Sequence, residues 1–344
     1  FFYWNTFAFI NAAPRALAMP LFIIIMFNYL KKENDFHKAL AVIIVCYLIG
    51  SLSLLYQINY GTMEWLAKSV NRGGVKRFST ILGSLTIFPS ILGYAVLILL
   101  SGVIFQNNKV FRSLLLLLFI ISSFLSLSKG GLMVLIISIL IFIIFYFRIS
   151  IKELNVKNTI ISISILVILV FLISQNFEFI SRYYNISMTQ LLGPNNLFSN
   201  SDSIQMSAPP INFEQIYMRL FHWVNLNLIK YGNIVFIFGI GLPGGGGIFA
   251  LENYGMSHNS FGDLFFIGGP IYLICFLLMY FTVQIYLLKN YDNNMSKLLF
   301  FLNIIFFANM CYASGSIYHP AISMPFWLSL VYCRHIHIRA LSIK

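Results

Sequence analysis

The sequence predicts an all-α polytopic transmembrane helical bundle with one large extracytoplasmic loop, and three observations predict it. Hydrophobic residues make up 59% of the 344 positions and charged residues 9%, with a mean hydropathy of +0.84. A soluble domain carries roughly 25% charged residues, so this chain lacks the polar material to wet a globular surface. Apolar runs of spanning length recur along the chain, and unbroken stretches such as Leu114–Leu118 lack the alternation of a membrane barrel strand. The whole chain, 1–344, therefore reads as a single transmembrane domain. Because it starts at Phe1 rather than Met, it reads as an excerpt with an upstream segment missing.

Spanning helices are expected at 7–30, 38–57, 80–104, 113–127, 131–147, 158–175, 261–288, 298–314 and 320–334. The stretch 176–257 is the one long polar segment and forms the large loop. Its first half is rich in Asn, Ser, Pro and Gly. Its second half, from Phe213 to Ile229, mixes apolar and aromatic residues with Arg219, His222 and Asn225, the pattern of a helix lying on the membrane surface. Cys46, Cys275, Cys311 and Cys333 show neither metal-ligand spacing nor a disulfide framework and read as packing residues.

The net charge of +12 suits membrane orientation and an anionic ligand rather than nucleic acid in a chain this apolar. One alternating set of loops holds Lys31, Lys32, Lys38, Lys109, Arg112, Arg148, Lys152, Lys157, Lys289, Lys297, Arg334, Arg339 and Lys344, 13 of the 22 basic residues. Short basic loops stay cytoplasmic, which places this set and the C-terminus inside. Nine basic residues fall on the other side, four of them in Lys68-Ser-Val-Asn-Arg72-Gly-Gly-Val-Lys76-Arg77. Scattered charge in a translocated loop is one reading of them. The other is a cationic face for an anionic substrate, because the planar guanidinium fork grips phosphate oxygens in pairs.

Three local patterns carry chemistry. Ser128-Lys129-Gly130-Gly131 sits between two apolar helices. It is a tight turn whose glycines would let backbone N–H groups converge on an anion. Gly239-Ile-Gly241-Leu-Pro-Gly244 formally matches the dinucleotide fingerprint, but no strand or soluble βαβ unit surrounds it, so it reads as a loop at the membrane surface. Ser257-His258-Asn259-Ser260 precedes a long span. There a lone His, His258, at a helix start reads either as a structural residue or as a candidate base. In the second reading Asn259 is an orienting partner, and Asp263 a carboxylate one turn on that would hold the ring or raise its pKa.

Taken in order, these patterns resemble the O-antigen polymerase and ligase superfamily of bacterial membrane glycosyltransferases, over roughly residues 70 to 290. Ser128-Lys129-Gly130-Gly131 fills the place of that family's Ser-Arg-Gly-Gly-like turn, with Lys where Arg is usual. Arg219 and Trp223 match the helical part of its large loop. Gly239 and Gly241 match its Gly-x-Gly stretch, and His258-Asn259 with Gly268-Gly269 match its His-Asn and later Gly. Arg77 with Gly83, Pro89 and Gly93 matches an upstream Arg and helix start. The resemblance implies a GT-C-like bundle in the bacterial inner membrane with its site facing outward. It also implies transfer of a glycan from undecaprenyl diphosphate to a sugar hydroxyl on a lipid-linked repeat unit. Transfer to lipid A core or protein by a ligase is the alternative, and a lipid or polysaccharide transporter is an alternative of another class. Arg77, Arg72, Lys129 and Arg219 would bind the diphosphate, and His258 with Arg219 would be catalytic. Asn259, Asp263, Trp223, Ser128, Gly130, Gly239 and Gly241 would support them. No cofactor or metal is expected, and the implied partners are the lipid-linked donor, the glycan acceptor, membrane lipids, a chain-length regulator and a flippase.

The orientation is open to a direct check. A single cysteine at Ser201, in a background lacking the native cysteines, is expected to react with an impermeant thiol reagent in intact cells. Labelling only after permeabilisation would invert the assignment of sides.

Overall fold

A computed structural model of the chain describes residues 21–63, 69–72, 75–83, 87–126, 128–146, 260–312, 317 and 319–342. Their regular elements are helices and one short two-stranded ladder. In chain order they form α1 (21–29), α2 (Glu33–Tyr60), β1 (Ser69–Arg72), β2 (Val75–Phe78), α3 (Ile87–Ser101) and α4 (Lys109–Leu125). Then come α5 (Lys129–Tyr146), α6 (Ser260–Lys289), α7 (Asn294–Tyr312) and α8 (Pro320–Ser342). Glu33–Tyr60, Ile267–Lys289 and Asn294–Cys311 are long and apolar enough to cross a membrane, which marks the chain as a membrane protein. At about 1.5 Å per residue the shortest reaches about 27 Å, close to the roughly 30 Å hydrocarbon core. Ile87–Ser101 and Gly130–Ile143 are apolar but shorter.

The helices fall where the apolar runs predict them, with two differences at the ends. The run expected from residue 80 opens on a turn rather than a helix, because Thr80 and Gly83 exchange backbone hydrogen bonds of 3.0 and 3.1 Å, and the described helix is Ile87–Ser101. The last helix continues past 334 to Ser342, through the polar run Arg334-His-Ile-His337. The expected span at 158–175 and the loop at 176–257 lie outside the described residues. All four cysteines are free, but Cys46, Cys275 and Cys311 are exposed on helix faces rather than packed in contacts as expected.

Local capping explains where several helices begin. Asp35, in the first turn of α2, accepts the backbone N–H groups of Lys32 at 2.9 Å and Lys31 at 3.2 Å, so two orphan donors at the helix start are satisfied. Asn108 Oδ1 accepts the N–H of Phe111 at the start of α4. α8 opens with Pro320 in its first turn, where a missing N–H costs nothing. α2 ends at Gly61, whose φ of +96° is the left-handed conformation that closes a helix.

Two compact units are distinguished: Phe1–Val45, Leu97–Arg112 and Ile216–Lys344 form one, and Cys46–Val96 and Ser113–Gln215 the other. In the first, α7 packs against both α6 and α8. Their core is aromatic: Phe306 stacks on Phe326 with ring centroids 5.4 Å apart, and Tyr280 lies 5.9 Å from Phe326. Asn303, fully buried on α7, ties the three helices together. Its backbone carbonyl accepts the Tyr280 hydroxyl at 3.0 Å, and its Oδ1 accepts Ser329 Oγ at 3.3 Å.

At the end of these helices Asn293 makes a second tie. Its Oδ1 caps α7, accepting the N–H groups of Met295 at 2.7 Å and Ser296 at 3.1 Å, and also accepts the Tyr332 hydroxyl at 3.1 Å. Its Nδ2 donates to Glu33 Oε1 at 3.0 Å. One amide thus joins the α6–α7 turn, α8 and the start of α2. Asn293→Ala is expected to lower stability by about 1–3 kcal/mol, from the lost cap plus two side-chain bonds. Tyr332→Phe removes only one of those bonds and should cost about 0.5–1.5 kcal/mol. Unfolding of both variants in detergent micelles checks the order, and equal losses would contradict the nodal role of Asn293.

Candidate functional site

The second unit contains the Ser128 turn, the basic 68–77 segment and the glycine-bearing start of α3. Ser128 is buried and is the N-cap of α5: its Oγ accepts the N–H of Gly131 at 3.3 Å, and its carbonyl accepts the N–H of Leu132 at 3.0 Å. The sequence pattern suggested N–H groups gathered on an anion. In the fold, the N–H of Gly131 is already taken by the cap.

Gly131 has another use. A Cβ there would lie 2.1 Å from Pro89 Cβ and 3.0 Å from the Pro89 carbonyl carbon, so the first turn of α5 rests directly on α3. One turn along α3, a Cβ at Gly93 would lie 2.5 Å from Val134 Cγ1 and 2.9 Å from Ser138 Oγ. Small residues on both helices allow this approach, the packing that membrane helices favour because lipid offers no hydrophobic drive between them. The fold therefore brings together two patterns the sequence kept apart, the Pro89/Gly93 helix start and the Ser128-Lys129-Gly130-Gly131 turn. Lys129 opens the helix that makes this contact.

The basic segment is not irregular. β1 and β2 pair antiparallel, with Ser69 opposite Phe78, Val70 opposite Arg77, Asn71 opposite Lys76 and Arg72 opposite Val75. Gly73-Gly74 links the two strands, the composition a two-residue hairpin connection favours. In this register positions 72 and 77 share one face of the ladder, and position 76 shares the other with Phe78. Phe78 is buried and anchors the end of β2. Gln57, fully buried on α2, holds the next residue: its Nε2 donates to Ser79 O at 2.9 Å and to Ser53 O at 3.2 Å. Sequence reasoning passed over Gln57. The signal was there, since an amide inside the apolar run 38–57 must find partners.

In the other unit, Asp263 lies buried near the start of α6. Five residues on, the helix breaks. Gly268 (φ −134°, ψ 16°) and Gly269 (φ 69°, ψ −170°) leave helical geometry, and Pro270 follows without an N–H. The part of α6 bearing Asp263 is thereby a separate turn of helix from the spanning part. Arg219, Trp223, Gly239, Gly241, His258 and Asn259 lie outside the described residues, as do the side chains of Arg72, Arg77 and Lys129. Among the described residues no group of three His, Cys, Asp or Glu side chains gathers as metal ligands.

Packing and anion binding make different predictions for Gly131. Gly131→Ala overfills the contact with Pro89 and is expected to destabilise the protein by about 1–3 kcal/mol, read as a lower unfolding midpoint in detergent. An alanine variant of wild-type stability that has lost only ligand binding would return this glycine to the anion-nest role.

No family model, curated protein or solved structure matches the chain, so the functional reading rests on its own residues.

Proposed function

We propose that this membrane protein is a surface-polysaccharide polymerase, moving a glycan from undecaprenyl diphosphate to a hydroxyl of a lipid-linked repeat unit. The observation that carries the reading is the order of patterns along an apolar helical chain. A basic segment, the Ser128 turn, an Arg- and Trp-bearing loop, a Gly-x-Gly stretch and His258-Asn259 follow one another at the spacing of the O-antigen polymerase and ligase superfamily. Two further facts support it. The Pro89 helix start and the Ser128 turn adjoin at Gly131, and the Ser69–Phe78 ladder carries positions 72 and 77 on one face.

In this reading the acceptor hydroxyl oxygen attacks the anomeric carbon of the donor glycan. The carbon–oxygen bond to the diphosphate breaks, and the lipid diphosphate leaves with its electron pair. Arg219 and Arg77, with Arg72 and Lys129, meet the charge that grows on it. Neutral His258 takes the hydroxyl proton, with Asn259 and Asp263 orienting it. The protein's own cations do the work a metal would otherwise do. The reaction runs in the outer leaflet of the bacterial inner membrane, with the GT-C-like bundle and the 176–257 loop around it. A ligase differs only in its acceptor, lipid A core or protein.

The break in α6 is the feature that would favour a transporter. Transporter folds carry such breaks in corresponding places of two halves, whereas among the described residues the Gly268–Gly269–Pro270 break stands alone.

The test is reconstitution with a synthetic lipid-diphosphate-linked repeat unit and resolution of the products by size. A ladder of lengthened lipid-linked glycans is expected. His258→Gln should lower the rate roughly 100- to 10,000-fold with donor still bound, because base catalysis contributes about that much. Products that appear only when lipid A core is supplied would assign the ligase activity. No product with either acceptor would reject transfer altogether.

A further inference from the structure

The first unit carries a feature that the proposed transfer does not use: its helix ends form one densely basic face. Four chain segments meet there. Asn293 bonds Glu33 and Tyr332, joining the α6–α7 turn to α2 and α8. His37 Nδ1 lies 3.1 Å from Val103 O, joining the α3–α4 connection to α2. Segments 27–38, 102–112, 286–297 and 332–338 hold eight Lys and Arg against three acids. Lys31, Lys32, Lys38, Lys109, Lys289 and Arg334 are exposed there.

Eight cations against three acids leave this face an excess of five positive charges. Glu33 accepts from the Asn293 amide, and Asp35 accepts the backbone N–H groups of Lys31 and Lys32. Two cations are steadied by rings instead of by acids. The Arg334 guanidinium lies 4.6 Å over Phe27, and Lys297 Nζ lies 5.1 Å over Tyr291. A cation on an aromatic face keeps its full charge for an anion beyond it. The face is also bounded by apolar helix surface, with Ile285 and Leu288 exposed just before Lys289 and Val110 and Phe111 just after Lys109. Cations at the end of lipid-facing apolar helices sit at headgroup depth.

We infer that this end of the first unit is a docking surface for anionic phospholipid headgroups, which it binds in preference to zwitterionic ones. The orientation rule accounts for cations in the loops of one membrane side. It does not require four segments, one of them inside α8, to converge on one face with this excess of cations. The inference is independent of the proposed glycan transfer and stands or falls without it.

The test uses the full chain in nanodiscs of phosphatidylcholine alone or of phosphatidylcholine with phosphatidylglycerol, and counts lipids retained by native mass spectrometry. Wild-type protein is expected to retain phosphatidylglycerol selectively. The variant K31Q/K32Q/K289Q should weaken that retention by about tenfold or more, since each surface lysine contributes a few-fold. The charge-matched control K68Q/K76Q/K230Q, at positions outside these four segments of the sequence, should leave it unchanged. Equal retention of the two lipids by wild type overturns the inference, and so does an equal loss in the control, which would show a response to net charge alone. Should the triple variant fail to insert, the wild type still decides. Selective retention must fall as salt is raised, and retention indifferent to salt overturns the inference.

Discussion

Hydrocarbon offers no hydrogen bonds, so every polar group among these apolar helices has to be answered by another protein group. Much of the local structure follows from how that demand is met. Several hydroxyls are answered within one turn of their own chain, Ser53 donating to Gly50 O, Ser126 to Ser123 O, Ser138 to Val134 O, Thr282 to Leu278 O and Ser323 to His319 O, whereas the buried hydroxyls of Ser51, Ser122, Ser123 and Ser296 have no partner among the described residues. Such bonds hide a serine without specifying a neighbour. The amides have more groups to satisfy, and their second partner must come from elsewhere in the chain. Asn293, Asn303 and Gln57 are therefore the residues that join elements. Gln57 Oε1 and Asn303 Nδ2 have no partner among the described residues, and we have no physical account of them.

The same demand explains why close helix packing and capping occur together at Ser128. A helix start in an apolar setting leaves N–H groups exposed, and lipid cannot satisfy them. Ser128 takes the N–H of Gly131, and the missing side chain of Gly131 lets Pro89 close over that turn. The cap and the contact depend on each other. A larger residue at 131 would lift α3 away, and loss of the serine oxygen would leave a buried donor unpaired.

Helix placement was legible because hydropathy over spanning length is a strong signal, and α2, α4, α5, α6 and α7 fall within a few residues of the apolar runs. The ends were less legible, since they are set by single residues: the Thr80–Gly83 turn delays α3, and nothing apolar announced that α8 would run on through Arg334 and His337. The 69–78 ladder was missed because its residues were read for charge rather than for alternation, although Gly73-Gly74 between two four-residue runs was a hairpin signal. At the candidate site, the sequence pointed to the glycines but not to their use. A Gly-Gly pair reads alike whether it frees N–H groups or admits a neighbouring helix, and only the position of Pro89 separates the two.

The distribution of basic residues is where sequence and fold reinforce each other most. Alternation of loops alone assigned Lys31, Lys38, Lys109, Arg112, Lys289, Lys297 and Arg334 to one side of the membrane. In the first unit, the segments carrying them are joined by the bonds of Asn293 and the contact of His37. Alternation likewise grouped the 58–79 loop with the Ser128 turn, and in the second unit Pro89, shortly after that loop, lies on Gly131 at that turn. Each unit thus keeps together loops that the charge pattern had grouped, by hydrogen bonds in one and by steric fit in the other. Neither the bonds nor the fit depend on charge, so the meeting of these segments within each unit is a matter of packing and hydrogen bonding rather than of the charge pattern.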